Sequence, residues 1–281
     1  MTRLGRPVRL LKDVARKVRS RFRGGEPPLP DRLTLTVGGE DVHFDTSSEI
    51  AKDWFYPRYR NGRAHEDVVF DVLLDRLRPT SCFFDVGANL GFYSAVASQH
   101  CRRGSVHSFE MDPELVGEIW KNLEGNDARS AHVTCAAVWE DDGILVSFSP
   151  HISGNKSTNQ VVVPTEERST HVPSLSIDSY CDRHDAHPDI VKIDVEGAEL
   201  QVLRGMEATL SEVNTLFLEV HPDHLLAEAS LIDIEEFLRH SGFTVDRIHE
   251  HRRGDELRME RLETLKDIRE NCMLLCERPS D

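Results

Sequence analysis

The chain has 281 residues, 39% of them apolar and 30% charged, which suits one large α/β domain with trimmings and is short for two. No apolar run approaches the roughly 20 residues that a membrane-spanning helix needs. The net charge of -15 is uneven: residues 1–25 carry nine basic groups against Asp13, and their +8 leaves -23 on the remainder, a body that repels nucleic-acid phosphates and disfavours nucleic acid as a partner.

The N-terminus lacks the apolar stretch of a secretory signal, which points to a cytoplasmic protein. Read as a helix from Pro7, it puts Val8, Leu11, Ala15, Val18 and Phe22 on one face. Arg9, Lys12, Arg16, Arg19 and Arg23 fall on the other. Such a helix over residues 7–23 can lie peripherally on the inner, anionic face of a membrane, or stay a solvated basic arm. Gly24-Gly25-Glu26-Pro27-Pro28 reads as a linker. The expected organisation is an arm (1–25), an extension of hairpin and helix (26–63), and a main domain (64–281).

Residues 31–45 predict two short strands around Gly38-Gly39. Residues 47–78 predict helix, broken near Pro57 and again at Asn61-Gly62. The second piece, from about Ala64 to Leu77, turns Val68, Val69, Val72, Leu73 and Leu77 to one side. Alternation then begins. Strands are expected at Cys82–Val86, Ser105–Phe109, His132–Val138, Ile190–Ile193, Thr215–Val220, Phe243–Ile248 and Met273–Cys276. Helices are expected from about Gly91, after Pro113, from Glu196-Gly197 through about Leu210, and over Ile232–Arg239. Strand and helix in alternation predict a mostly parallel sheet covered on both faces. Residues 143–173 break the pattern and read as a β-rich insertion around a polar loop, a place for specificity or a plain surface excursion. Cys82, Cys101, Cys135, Cys181, Cys272 and Cys276 form no CxxC pair and are expected as buried free thiols.

The sharpest signal is FFDVGANLGFYS, Phe83 to Ser94. An acid ends a strand, Gly87, Asn89 and Gly91 follow at alternate positions, and a helix begins. Glycine permits the tight turn and close ligand approach, and Asn89 tolerates a left-handed backbone. The helix N-terminus offers free N–H groups to a carboxylate, with Asp85 near an ammonium group. Glu110 ends the next strand, where its carboxylate can accept two hydrogen bonds from a ribose diol. A dinucleotide site would want G-x-G-x-x-G instead. A nicotinamide-dependent reductase would commonly add Tyr-x-x-x-Lys, but Tyr180 is followed by His184 at that spacing.

These residues, with FEMDP after them, VKIDVEGAELQVLRGM (Val191–Met206), LFLEVHP (Leu216–Pro222) and Glu66 upstream, resemble the FkbM-type family of S-adenosylmethionine-dependent methyltransferases over roughly residues 64–245. The resemblance implies a Rossmann-like class I methyltransferase fold, with seven strands and the last antiparallel. It implies that Asp85, Gly87, Asn89 and Gly91 line the methionine end of S-adenosylmethionine, with Glu66, Ala88, Phe92 and Tyr93 also among the cofactor-binding residues. Glu110 would bind ribose, and Met111 with Ala137 and Val138 would flank adenine.

The second constellation carries the chemistry. Lys192 and Asp194 are two apart on a strand and share a face; Asp194 lies at its carboxyl end, where α/β folds bind ligands. Glu219 and His221 stand at the end of the next strand. His221 or Asp194 is expected to remove a hydroxyl proton while Glu196 orients the acceptor. The plainer alternatives are a helix cap for Glu196, a turn residue for His221 and a contact to the donor's ammonium for Asp194. No metal is assigned, although such a carboxylate and His cluster could hold one. The expected acceptor is a sugar hydroxyl of a glycan or glycolipid, then a secondary metabolite. A reductase, a non-catalytic nucleoside-binding scaffold and a nucleic-acid methyltransferase stand as rivals.

Overall fold

The computed structural model describes residues 29–59, 66–148, 170–227, 229–249 and 259–279. The expected basic helix of residues 7–23, the break at Asn61-Gly62 and the polar tip of the insertion lie outside them.

Strands β1 (Arg32–Val37) and β2 (Glu40–Asp45) form the expected hairpin, followed by α1 (Glu49–Tyr59) and α2 (Asp67–Arg76). The alternating segment supplies β3 (Cys82–Val86), α3 (Phe92–His100), β4 (Ser105–Glu110), α4 (Pro113–Glu124) and β5 (Ala131–Cys135). Next come β6 (Ala137–Val138), β7 (Leu145–Phe148), β8 (Thr170–Leu175), α5 (Ile177–His184), β9 (Ile190–Ile193) and α6 (Glu199–Arg204). The chain closes with β10 (Thr215–Val220), α7 (Leu231–His240), β11 (Thr244–Ile248), β12 (Met259–Arg261) and β13 (Cys272–Glu277).

The main sheet has the order β12-β11-β13-β10-β9-β3-β4-β5. The run from β10 to β5 is parallel; β13 inserts antiparallel between β10 and β11. This is the Rossmann-like arrangement expected, with the short β12 added at one edge. Chain order reverses at β3: β4 and β5 build outward on one side, β9 and β10 on the other. Ligands of open α/β sheets bind at such a switch point, outside the carboxyl ends.

Adjacent side chains on a strand face opposite sides, so the paired aromatics of CFFDV serve two cores. Phe84 joins Phe109, Val191 and Leu218; Phe83 joins Phe92, Phe217 and Leu275. The hairpin and α1 complete the second core, with ring centroids 4.9 Å apart for Phe44–Phe55 and 5.0 Å for Phe44–Phe92. Helix α4 ties the hairpin down with two asparagines one turn apart. Asn122 Oδ1 accepts from Asp45 N (2.7 Å) and Asn126 Oδ1 from His43 N (2.8 Å), satisfying an otherwise open strand edge.

Several expectations need correction. Helix α1 runs through Pro57, which lies in its last turn. The single strand expected over His132–Val138 is two, because β6 peels away to pair with β8 in a separate three-stranded sheet, β6-β8-β7. The helix after Asp194 starts only at Glu199 and stops at Arg204, where Gly205 packs so tightly that a Cβ would lie 2.0 Å from the Trp139 carbonyl oxygen. Helix α5 and strand β12 stand where the sequence pattern predicts no element. All six cysteines are free, but Cys135 is exposed and Cys82 and Cys181 only partly covered. Among the described residues no helix is long and apolar enough to cross a membrane.

Candidate active site

Where β3 ends, Gly87 has φ +77°, and a Cβ there would lie 1.8 Å from the carbonyl oxygen of Asp194. No other residue fits: the turn after β3 crosses directly over the end of β9, and Asp194 N donates to Val86 O (3.0 Å) beneath it. The N–H groups of Gly87 and Ala88 both donate to Phe109 O. Asn89 (φ +53°) turns its N–H to Glu110 Oε2 (2.8 Å), and Gly91 (φ +73°) passes against Ile119. The turn therefore wraps around Glu110, whose Oε1 accepts from Asp112 N (2.9 Å). Burial pushes the Glu110 carboxyl up to about 7, even though these backbone donors favour its charge. Each carboxylate oxygen retains acceptor capacity beyond the bonds drawn here.

The remaining expected donor-site residues divide. Met111 packs with Ala137, Val146, Phe148 and Val172 beside the Glu110 strand end, while Val138 turns into the main core. The side chains of Ala88 and Phe92 are buried in hydrophobic clusters, so only their main-chain atoms can meet a ligand. Tyr93 donates its hydroxyl to Glu66 Oε2 (2.5 Å), which joins the cap of α2 to the site.

A buried charge network runs behind the turn. Asp85 is fully buried; its Oδ2 accepts from Ser94 Oγ (2.6 Å), and its Oδ1 lies 3.8 Å from Lys192 Nζ without a hydrogen bond. Burial raises the Asp85 carboxyl against the pull of Lys192 and Ser94. Lys192 Nζ also sits 3.2 Å from Asp194 Oδ2 and 4.8 Å over the Tyr93 ring. Burial disfavours its charge, but Asp194, Asp85, Glu219 and Glu66 together hold the ammonium above its ordinary value. Burial, with the charges of Asp194 and Glu66, pushes Glu219 up to about 9.

Beyond β9, Glu196 (φ +54°) and Gly197 (φ +112°) form a turn rather than the first turn of a helix. A Cβ on Gly197 would lie 2.1 Å from Leu225 O. Glu199 is fully buried, and its Oε1 accepts from Gly197 N (3.0 Å) and pairs with His221 Nδ1 at 2.5 Å. His221 Nε2 lies 3.0 Å from Glu196 Oε2, an ion-pair distance without a well-directed hydrogen bond. Burial opposes charge on this ring, yet Glu196 and Glu199 outweigh it and raise the imidazole to about 10.

Both neighbouring carboxylates favour the charged ring, and the side chain has no exposed surface, so His221 does not suit its expected role as a free base. Asp194, with 28% of its side chain exposed, Glu196, with 21%, and Glu219 all stay partly exposed at these strand ends. Asp194, Glu219 and His221 each bring a potential ligand atom within 4.8 Å of the others. The sequence pattern assigns no role to Glu199, whose signal is an acid opening an apolar helical run, nor to Lys192, whose signal is a cation inside the apolar strand IVKI.

Residues 85–245 match the model of the methyltransferase FkbM domain. Among curated relatives, the chain is 28% identical over 224 residues to the hexuronic acid methyltransferase AglP of Haloferax volcanii, covering 76% of this chain and 88% of that one. It is 27% identical over 199 residues to the 31-O-demethyl-FK506 methyltransferase FkbM of Streptomyces tacrolimicus, covering 60% and 75%. A crystal structure of a methyltransferase FkbM from Methylobacillus flagellatus aligns with TM-score 0.47 at 18% identity over 71% of this chain and 44% of that one.

Proposed function

The chain belongs to the FkbM methyltransferase family, and from that premise we propose that it carries a methyl group from S-adenosylmethionine to a sugar hydroxyl of a glycan or glycolipid. The observation that carries this reading is the turn over the switch point, in which Gly87 leaves no room for a side chain and Asn89 aims its N–H at Glu110. The residues suit the donor. Glu110 would accept from the ribose hydroxyls and Met111 and Ala137 would flank the adenine, whereas Asp85, fully buried beside Lys192, would act on the methionine end only through the turn it supports. S-adenosylmethionine supplies a methyl carbon already activated by a sulfonium, so the bond to sulfur breaks to leave a neutral thioether.

What the chain adds is alignment, which can supply up to about 10 kcal/mol, and a place for the proton. As the oxygen–carbon bond forms, the acceptor's hydroxyl proton passes to Asp194, whose carboxylate Lys192 holds in position. Glu196 orients the acceptor from the next turn, while buried His221 neutralises the carboxylates behind it. A sugar acceptor is favoured by the name of the Haloferax relative, and oxygen as the accepting atom by that of the Streptomyces relative. The latter also supports a secondary-metabolite hydroxyl as the second reading.

Calorimetry with S-adenosylhomocysteine and transfer of labelled methyl to uronic-acid-bearing glycans test the reading. Asp194→Asn should lower turnover by about 10²–10⁴ with little change in nucleoside affinity. Full turnover in that variant would remove Asp194 from the chemistry, and absence of nucleoside binding by the wild type would remove the donor.

A further inference from the structure

We propose that Asp194, Glu219 and His221 form a binding site for one divalent transition-metal ion, of the kind Mn2+ exemplifies, at the acceptor end of the crevice. The three side chains come from adjacent strand ends, β9 and β10, and their ligand atoms lie within 4.8 Å of one another. His221 supplies the observation that separates this cluster from a plain acidic patch. Its side chain has no exposed surface, and its Nδ1 is committed to Glu199 Oε1, which Gly197 N fixes in turn. Metal-binding imidazoles are oriented by such a carboxylate on the far nitrogen. The other nitrogen, Nε2, makes no directed hydrogen bond, and Glu196 is its ion-pair neighbour. A bound ion would take the position of the Nε2 proton.

Carboxylates and water suit magnesium-like and manganese ions, while imidazole suits the later transition metals. One imidazole with two carboxylates is met by an ion between those classes. Asp194 and Glu219 are both partly exposed, which leaves coordination positions open toward solvent.

The role, though not the site, rests on the methyl-transfer reading above. An acceptor carrying its own carboxylate would meet mainly acids here, and a dication reverses the sign of that encounter. The same ion would lower the pKa of a hydroxyl bound to it. Asp194 can serve both partners, because a carboxylate has two oxygens. One faces the ion; the other, steadied by Lys192, receives the proton.

Full-length protein freed of metal with a chelator is titrated with Mn2+ and followed by electron paramagnetic resonance. Wild type should take up one Mn2+ per chain at micromolar concentrations and show nitrogen hyperfine coupling. Glu219→Gln and His221→Asn should each weaken uptake at least about tenfold, and Glu199→Gln should weaken it while leaving the ligands in place. Asp127→Asn, on the surface, should leave it unchanged. Should His221→Asn fail to fold, Glu219→Gln and the wild-type nitrogen coupling decide. Stoichiometric uptake that survives Glu219→Gln, coupling without nitrogen, or no uptake at millimolar Mn2+ overturns the proposal. Binding of S-adenosylhomocysteine, measured in chelator, is read separately, so loss of the metal site leaves the methyltransferase reading standing.

Discussion

An alanine at Gly87 would force a methyl group to within 1.8 Å of the Asp194 carbonyl oxygen at a φ of +77°. The strained backbone alone is worth about 1–3 kcal/mol, and the clash adds to it. Gly87→Ala should lower the urea midpoint accordingly and abolish S-adenosylhomocysteine binding. Glu110 gives a pH signature instead. Its folded value of about 7 stands above its ordinary 4.5, so the protonated form is favoured in the folded protein. The stabilisation this represents is fully present below pH 4.5 and is lost as pH rises through 7. Glu110→Gln, which stays neutral, should therefore gain about 3 kcal/mol relative to wild type between pH 4 and pH 8 in urea unfolding. Wild-type nucleoside affinity should run the other way, weakening below pH 7 as the carboxylate proposed to accept the ribose hydroxyls is protonated. A flat affinity profile from pH 5 to pH 8 would take Glu110 out of the ribose contact.

Elements were legible where their pattern is local. The Gly38-Gly39 hairpin, the apolar run of β3 and the Pro113 start of α4 each carry their own signal, and Glu110 at the end of β4 and Asp194 just after β9 mark the switch point. What stayed hidden depends on partners distant in sequence. His132–Val138 reads as one strand because nothing local interrupts it; only pairing with β8 draws Ala137 and Val138 aside. Strand β12 is exposed throughout and shows no apolar pattern at all. The burial of His221 between two acids could not be read from LEVHP, since Glu199 arrives from another element. Helix α4 offers a test at this scale. Asn126 bridges to both the N–H and the carbonyl of His43, so Asn126→Ala should cost about 1–3 kcal/mol by releasing the hairpin edge. Thermal unfolding with unchanged far-ultraviolet dichroism would show it.

For the whole molecule, charge is the organising quantity, with +8 in the first 25 residues and -23 in the rest. An arm of that sign would hold an acidic body at an anionic bilayer, with each basic group near the surface contributing about 1 kcal/mol. Deleting residues 1–25 should abolish co-sedimentation with phosphatidylserine vesicles at low salt and leave S-adenosylhomocysteine affinity unchanged. Equal partitioning of the truncated protein would show that the arm does not dock it.

The sheet also imposes a relation between the two ligands. The turn proposed to receive the nucleoside and the segment carrying Asp194 cross with no room for a methyl between them. If pressure on one strand end is passed to the other, thermodynamic reciprocity makes donor and acceptor alter each other's affinity by the same factor.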